Sequence, residues 1–290
     1  MADRAMLTAS FFIAPFEPTK SHGYENEPGG TLLTFLSKKF GQFTYFSQQV
    51  GESVWRGKDV LDFGGNIGNI LRDPAATIDE ERYWCLDVVK DSIEHGKISF
   101  PNANWHFYNR YSFFFNPHGV PQLPLPDLGR TFDYIVAYSV FSNTTPSDML
   151  QLVKQLEGLL ASDGALAFTF VDPYYFSWPG QYHGNNFQWR LDRELELARE
   201  GGYSLNLDTE GLTKKAQNAD WLLLVNANDL YIETEEIPSY EPGAQRTCHA
   251  FYTEKFMKAL FPNAAVLPPV NNEMQHCCLI KKSSLEPGIV

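Results

Sequence analysis

From Lys58 onward, short apolar runs alternate with amphipathic stretches. KDVLDF (58–63), RYWCLD (82–87), ANWHFY (103–108), FDYIVAYSVF (132–141) and ALAFTFVD (165–172) read as buried strands. Between the last two lies PSDMLQLVKQLEGLLASDG (146–164). Its apolar positions Met149, Leu150, Val153, Leu156, Leu159 and Leu160 recur at three- and four-residue steps, which predicts a helix with one apolar face. Ser147 or Asp148 suits its start, and Gly164 suits the turn after it. Strands alternating with helices predict a mostly parallel sheet covered on both faces.

The rhythm breaks over 172–246. DPYYFSWPGQYHGNNFQW leads into a helix-like RLDRELELAREGGY and a strand-forming WLLLVNANDLYIETEEI. That length exceeds an ordinary connection, so the stretch is expected to be a lid or a substrate-recognition insertion. After it, TEKFMKALF reads as a helix, AAVLPPV as a strand, and Met274–Lys282 as a last strand paired antiparallel with it across Asn271-Asn272. The sheet then has seven strands. The expected division is a lead-in or cap at 1–57, a core at 58–171, the insertion at 172–246, and a return to the core at 247–290. Within the lead-in, TLLTFLSKKF suits a short helix.

Composition narrows the partners. The net charge is −12 with no Lys/Arg cluster, which opposes a nucleic-acid partner. No run approaches the length of a membrane span, and the first residues lack a leader's apolar stretch, so no membrane partner is expected. Cys85, Cys248, Cys277 and Cys278 lack CxxC spacing and companion ligands. They are read as reduced thiols in a cytoplasmic protein, with no metal site. Two segments, 105–115 and 174–189, each hold seven aromatics and suit the walls of a pocket for a flat or cationic ligand.

The chemistry concentrates in VLDFGGNIGNIL (60–71). A buried strand ends at Asp62-Phe63 and opens into Gly64, Gly65, Asn66 and Gly68. Such a turn lies at the carboxyl edge of a parallel sheet, where open α/β folds take their ligands. A dinucleotide site wants G-x-G-x-x-G around a pyrophosphate; here the glycines run G-G-x-x-G after an aspartate. A carboxylate repels pyrophosphate and attracts an amine. The pattern therefore favours S-adenosylmethionine (SAM), which ends in an amino acid and has no phosphate. A turn that serves only tight packing is the alternative. Asp87, at the end of the second strand, can accept both ribose hydroxyls, or be an ordinary turn aspartate. Asn109, after the third strand, can bond an adenine amino group or cap a turn.

These segments together resemble the class I SAM-dependent methyltransferases, a Rossmann-like family. VLDFGGNIGNIL is similar to its first motif, YWCLD to the strand ending in the ribose-binding acid, and FDYIVAYSVFSNTT and ALAFTFVD to its fourth and fifth strands. The resemblance covers about 58–171 and 248–282. It implies that Gly64, Gly65 and Asn66 border the amino-acid end of SAM and that Asp87 holds the ribose. It places Asn109 and Arg110 near the adenine and Tyr138 between cofactor and substrate. Many small-molecule members carry a histidine after the fourth strand, where this chain has Ser142 and Asn143.

Methyl transfer is an in-line displacement from a sulfonium, which chiefly needs alignment and exclusion of water. An acceptor that must lose a proton needs a base. His249 and His183 are the candidate bases, ahead of His276, although a lone histidine is more often structural than catalytic. Glu235 and Glu236 can hold a cationic amine or form a solvated acidic run. The expected activity is O- or N-methylation of a small organic acceptor, by a monomer or a homodimer. The alternatives are methylation of a protein or peptide, aminopropyl transfer, a nicotinamide-dependent dehydrogenase, and a SAM-fold binding protein without turnover.

Overall fold

The computed structural model describes residues 41–112, 115–175, 185–200, 208–226, 230–234, 247–270 and 273–282. Five parallel strands form its centre: β1 (Val60–Phe63), β2 (Tyr83–Asp87), β3 (Asn104–Phe107), β4 (Phe132–Ala137) and β5 (Leu160–Val171). A small sheet holds β6 (Trp221–Asn226), β7 (Leu230–Glu233) and β8 (Thr247–Tyr252). The main sheet is completed by β9 (Ala265–Leu267) and β10 (Gln275–Lys281), in the order β3-β2-β1-β4-β5-β10-β9. β10 runs antiparallel to both β5 and β9. The seven-strand, mostly parallel sheet with a reversed last strand is the architecture that the apolar runs predict.

Both faces are covered, which is why all four residues of β1 are buried. On one face lie α1 (Gln42–Val50) and α2 (Lys90–Ser99). Phe43, Tyr45 and Phe46 of α1 and Ile93 of α2 pack with Val60, Cys85, Val136, Ala167 and Cys277. Gly96 lets α2 lie close, since a Cβ there would sit 2.2 Å from the Trp105 ring. On the other face, Met149, Leu152, Val153 and Leu156 of α3 (Pro146–Gly158) pack on Leu61, Ile135, Leu166 and Phe168. Met257 of α6 (Glu254–Leu260) joins the same cluster.

The stretch after β5 folds on its own hydrophobic unit. α4 (Asn186–Glu200) and α5 (Thr209–Gln217) contribute Phe187, Leu191 and Ala216 to a cluster with Leu222, Leu224 and Phe251. The alternate residues Leu223, Val225, Ala250 and Tyr252 face the main core. The small sheet thus has two buried faces, as period-two alternation requires.

Several details differ from the sequence reading. The start of α3 is capped by Thr145, whose hydroxyl accepts from the Asp148 N–H at 3.3 Å, with Pro146 in the first turn. Ser147 and Asp148 lie inside the helix. Gly164 lies within β5, where a Cβ would meet the Phe132 carbonyl at 2.7 Å. Among the described residues, turns and a 3-10 segment (Glu80–Arg82) join β1 to β2, because Asn66 and Gly68 adopt left-handed φ of 54° and 82° and interrupt a helical ladder. The return to the core begins after β8, since Thr247–Tyr252 pairs with β6 along its whole length. The helix α1 lies in a stretch read only as lead-in. The short helix expected over TLLTFLSKKF lies outside the described residues.

Candidate functional site

The glycine turn emerges from the carboxyl end of β1, and β2 fastens it. Gly64 has φ 76°, and its N–H donates to the Leu86 carbonyl at 2.8 Å. The Asn66 N–H donates to Asp87 Oδ2 at 2.8 Å, and the Val89 N–H to Asp87 Oδ1 at 2.7 Å. Asp87 therefore ties the turn to the second strand. Each of its oxygens retains a lone pair, enough to accept two ribose hydroxyls. Burial raises its carboxyl pKa, and the backbone N–H donors oppose that rise. The Asn66 Oδ1 is buried with no partner in the described protein, which suits a ligand donor at this turn.

Asp62 lies beneath the turn. It is 1 % exposed, accepts from the Tyr83 hydroxyl at 2.8 Å, and would touch a Cβ placed on Gly65 at 2.5 Å. Burial pushes its pKa up to about 7; the Tyr83 bond opposes this and nearby Asp87 adds to it. The sequence reading set Asp62 against a ligand amine. The structure sets it against Tyr83 and the underside of Gly65, because Asp62 shares the inward face of the sheet with Val60.

Gly68 closes the turn, and a Cβ there would press the Trp105 and Phe100 rings at 3.0 and 3.3 Å. Asn109 is exposed beyond β3, with its Oδ1 accepting from Asn116 Nδ2 at 3.1 Å. Arg110 is drawn inward. Its guanidinium donates to the Leu123 carbonyl and Asp148 Oδ1 at 2.7 Å and to Gln151 Oε1 at 2.9 Å. Those bonds pin the loop after β3 to α3.

Tyr138 follows β4 at the same edge, with its ring set edge-on to Tyr45 and Phe46 of α1 at 5.9 and 6.2 Å. Its hydroxyl is hydrogen-bonded to Glu273 and Gln275. The next residue, Ser139, has φ 58°, and its N–H donates to Thr169 Oγ1 at 2.7 Å. Thr169 in turn donates to Gln275 Oε1 at 2.6 Å. The Tyr45 hydroxyl donates to the Gln275 carbonyl at 2.9 Å. Two left-handed, non-glycine residues, Asn66 and Ser139, therefore stand at the ends of neighbouring strands, as strained backbone often does at sites.

Sequence reasoning missed Glu273, Gln275, Thr169 and Tyr45. One signal was present: a strand running antiparallel delivers its first residues to the carboxyl edge, so the polar start of β10 had to lie there.

The histidines fall elsewhere. His249 sits on the face of β8 opposite Ala250 and Tyr252, turned toward α4. Its Nε2 lies 3.1 Å from Glu194 Oε1 and touches the Arg190 guanidinium, which pairs with Glu194 at 3.0 Å. Burial lowers its pKa, opposed by the Glu194 bond, so the ring is neutral at pH 7. This is an internal polar cluster of the insertion. His276 is buried between the Phe170 and Tyr175 rings, and burial lowers its pKa as well. His183, Glu235 and Glu236 lie outside the described residues.

Residues 61–166 match the model of a family described as Methyltransferase domain. No curated protein matches the sequence. Among solved structures, the chain is similar to an S-adenosylmethionine-dependent methyltransferase from Clostridium acetobutylicum ATCC 824, at 14% identity over 84% of this chain and 91% of that one, with TM-score 0.46. It is also similar to the PH0226 protein from Pyrococcus horikoshii OT3, at 12% identity over 81% and 86%, with TM-score 0.45. A third is CalS10, an amino pentose methyltransferase from Micromonospora echinaspora, at 14% identity over 76% and 82%, with TM-score 0.39. None shares enough with this chain to carry a substrate across to it.

Proposed function

We propose that the chain is a class I SAM-dependent methyltransferase with SAM as its methyl donor, in keeping with the Methyltransferase domain model that residues 61–166 match, and that it methylates an oxygen or nitrogen of a small organic acceptor. The observation that carries this reading is the buried polar group at the carboxyl edge: Tyr138, Glu273, Gln275 and Thr169 beside the glycine turn. A compact acceptor can be enclosed against such a group. A net charge of −12 also disfavours a nucleic-acid acceptor.

The residues at the turn fit SAM. The Gly64-Gly65-Asn66 backbone and the unpartnered Asn66 amide oxygen suit its amino-acid end, and Asp87 suits its ribose. When bound, SAM supplies a methyl group on a positively charged sulfur, already activated for displacement. The chain then has to hold the turn rigid, align the acceptor and keep water out. Asp87 does the first by fixing the Asn66 N–H. Tyr138 is held by the Tyr45 and Phe46 rings of α1 and by Glu273 and Gln275 at the start of β10.

Titration calorimetry with SAM, beside NADH, is the test. Micromolar SAM affinity, lost in Asp87→Ala and absent for NADH, is the expected result. Release of S-adenosylhomocysteine (SAH) is then screened over phenols, carboxylic acids, amines and peptides. Turnover confined to peptides would replace the small-molecule reading. Failure of the wild type to bind SAM would remove the donor itself.

A further inference from the structure

The buried bonds around Tyr138 run in one direction. The Ser139 backbone N–H is obligatorily a donor, so Thr169 Oγ1 receives it and must use its own proton on Gln275 Oε1. Gln275 therefore turns its NH2 toward Tyr138, and the tyrosine O–H is left to donate to Glu273. The Met274 N–H also donates to Glu273 Oε1 at 2.9 Å. The chain of donors ends on a carboxylate that is 5 % exposed. A network built only to tie the start of β10 across β5 to the end of β4 has no need to end on an ionisable group, since a buried amide would satisfy the same tyrosine without the desolvation of a charge.

We propose that Glu273 is the acceptor-side carboxylate of this methyltransferase: the relay Ser139–Thr169–Gln275–Tyr138 presents it at the carboxyl edge to take the proton that an N–H or O–H acceptor gives up. The inference rests on the SAM-dependent reading above. As the acceptor's lone pair bonds to the methyl carbon, the carbon–sulfur pair passes to sulfur, which becomes neutral. The acceptor's proton moves to Glu273, which becomes a neutral carboxylic acid, so charge and atoms balance. The titratable groups facing Glu273 are Tyr138 beyond β4 and Tyr45 on α1. Burial raises the pKa of both well above neutrality, so they stay uncharged. Burial also raises that of Glu273, against its bonds to Met274 and Tyr138, which suits a group that must hold a proton transiently.

SAM and SAH differ by the methyl group and its positive charge. If Glu273 faces the transferred methyl, SAM binding favours its ionised form and expels its proton, whereas SAH does so less. Calorimetry at about pH 6 in buffers of different ionisation enthalpy counts those protons. The wild type should release more protons with SAM than with SAH. Glu273→Gln should lose that difference while still binding both ligands. Tyr138→Phe, which removes the donor to the carboxylate, should move the release to higher pH, a shift that a purely structural role would not give. With an acceptor that the wild type turns over, Glu273→Gln should lose kcat at every pH and keep the KM for SAM. Equal proton release for SAM and SAH in the wild type, or an unchanged difference or kcat in Glu273→Gln, overturns the assignment and leaves the donor reading standing. A wild type that binds no SAM overturns both.

Discussion

Asp62 gives the sharpest test of how the glycine turn is built. A carboxyl group buried to 1 % exposure has a pKa raised from 3.8 to about 7. Between those values the folded protein binds a proton that the unfolded chain releases. Stability therefore falls as pH rises through that window and levels off above about pH 7. A difference of about 3 units, at about 1.4 kcal/mol per unit, corresponds to roughly 4 kcal/mol of destabilisation at pH 8. Asp62→Asn removes the charge and keeps an oxygen for the Tyr83 hydroxyl. The variant should match the wild type near the acid end of the window and exceed it by up to roughly 4 kcal/mol at about pH 8, a rise in Tm of roughly 8 °C or more. Thermal melts of both proteins without ligand, followed by circular dichroism from acid to mildly alkaline pH, measure the gap. A gap that stays constant with pH, or a variant less stable at pH 8, would refute a buried, desolvated carboxylate beneath the turn.

Gly65→Ala places a methyl group 2.5 Å from Asp62 Oδ2 and 2.9 Å from Cys85 Sγ. It should destabilise by about 1–3 kcal/mol and weaken SAM binding. Gly158→Ala meets nothing within 4 Å at the end of α3 and should leave the melt unchanged or slightly raised. Arg110→Ala strips a buried guanidinium from Asp148, Gln151 and the Leu123 carbonyl; unfolding in urea should show a loss of about 3–5 kcal/mol. Thr145→Ala removes the cap of α3 and should cost about 1 kcal/mol by the same measurement.

The seven-strand core was legible in the sequence because its signals are local. Strands buried on both faces must be continuous apolar runs, as VLDF and YWCLD are, and a helix on one face must repeat at three- and four-residue steps, as α3 does. Gly64, Gly65, Asn66 and Asp87 fall together because a parallel strand delivers its carboxyl end, and whatever follows it, to one edge of the sheet.

Tertiary structure decided what the side chains do there. Asp62 is turned under Gly65 and Arg110 onto α3 by packing between residues distant in sequence, and no spacing encodes that choice. The sheet pairing of β8 turned His249 toward Glu194, away from the core-facing residues of its own strand. The reversal of β10 brought Glu273 and Gln275 to Tyr138, more than a hundred residues earlier in the chain. A sequence fixes which residues alternate on a strand; the partners across the sheet are chosen only when the strands pair.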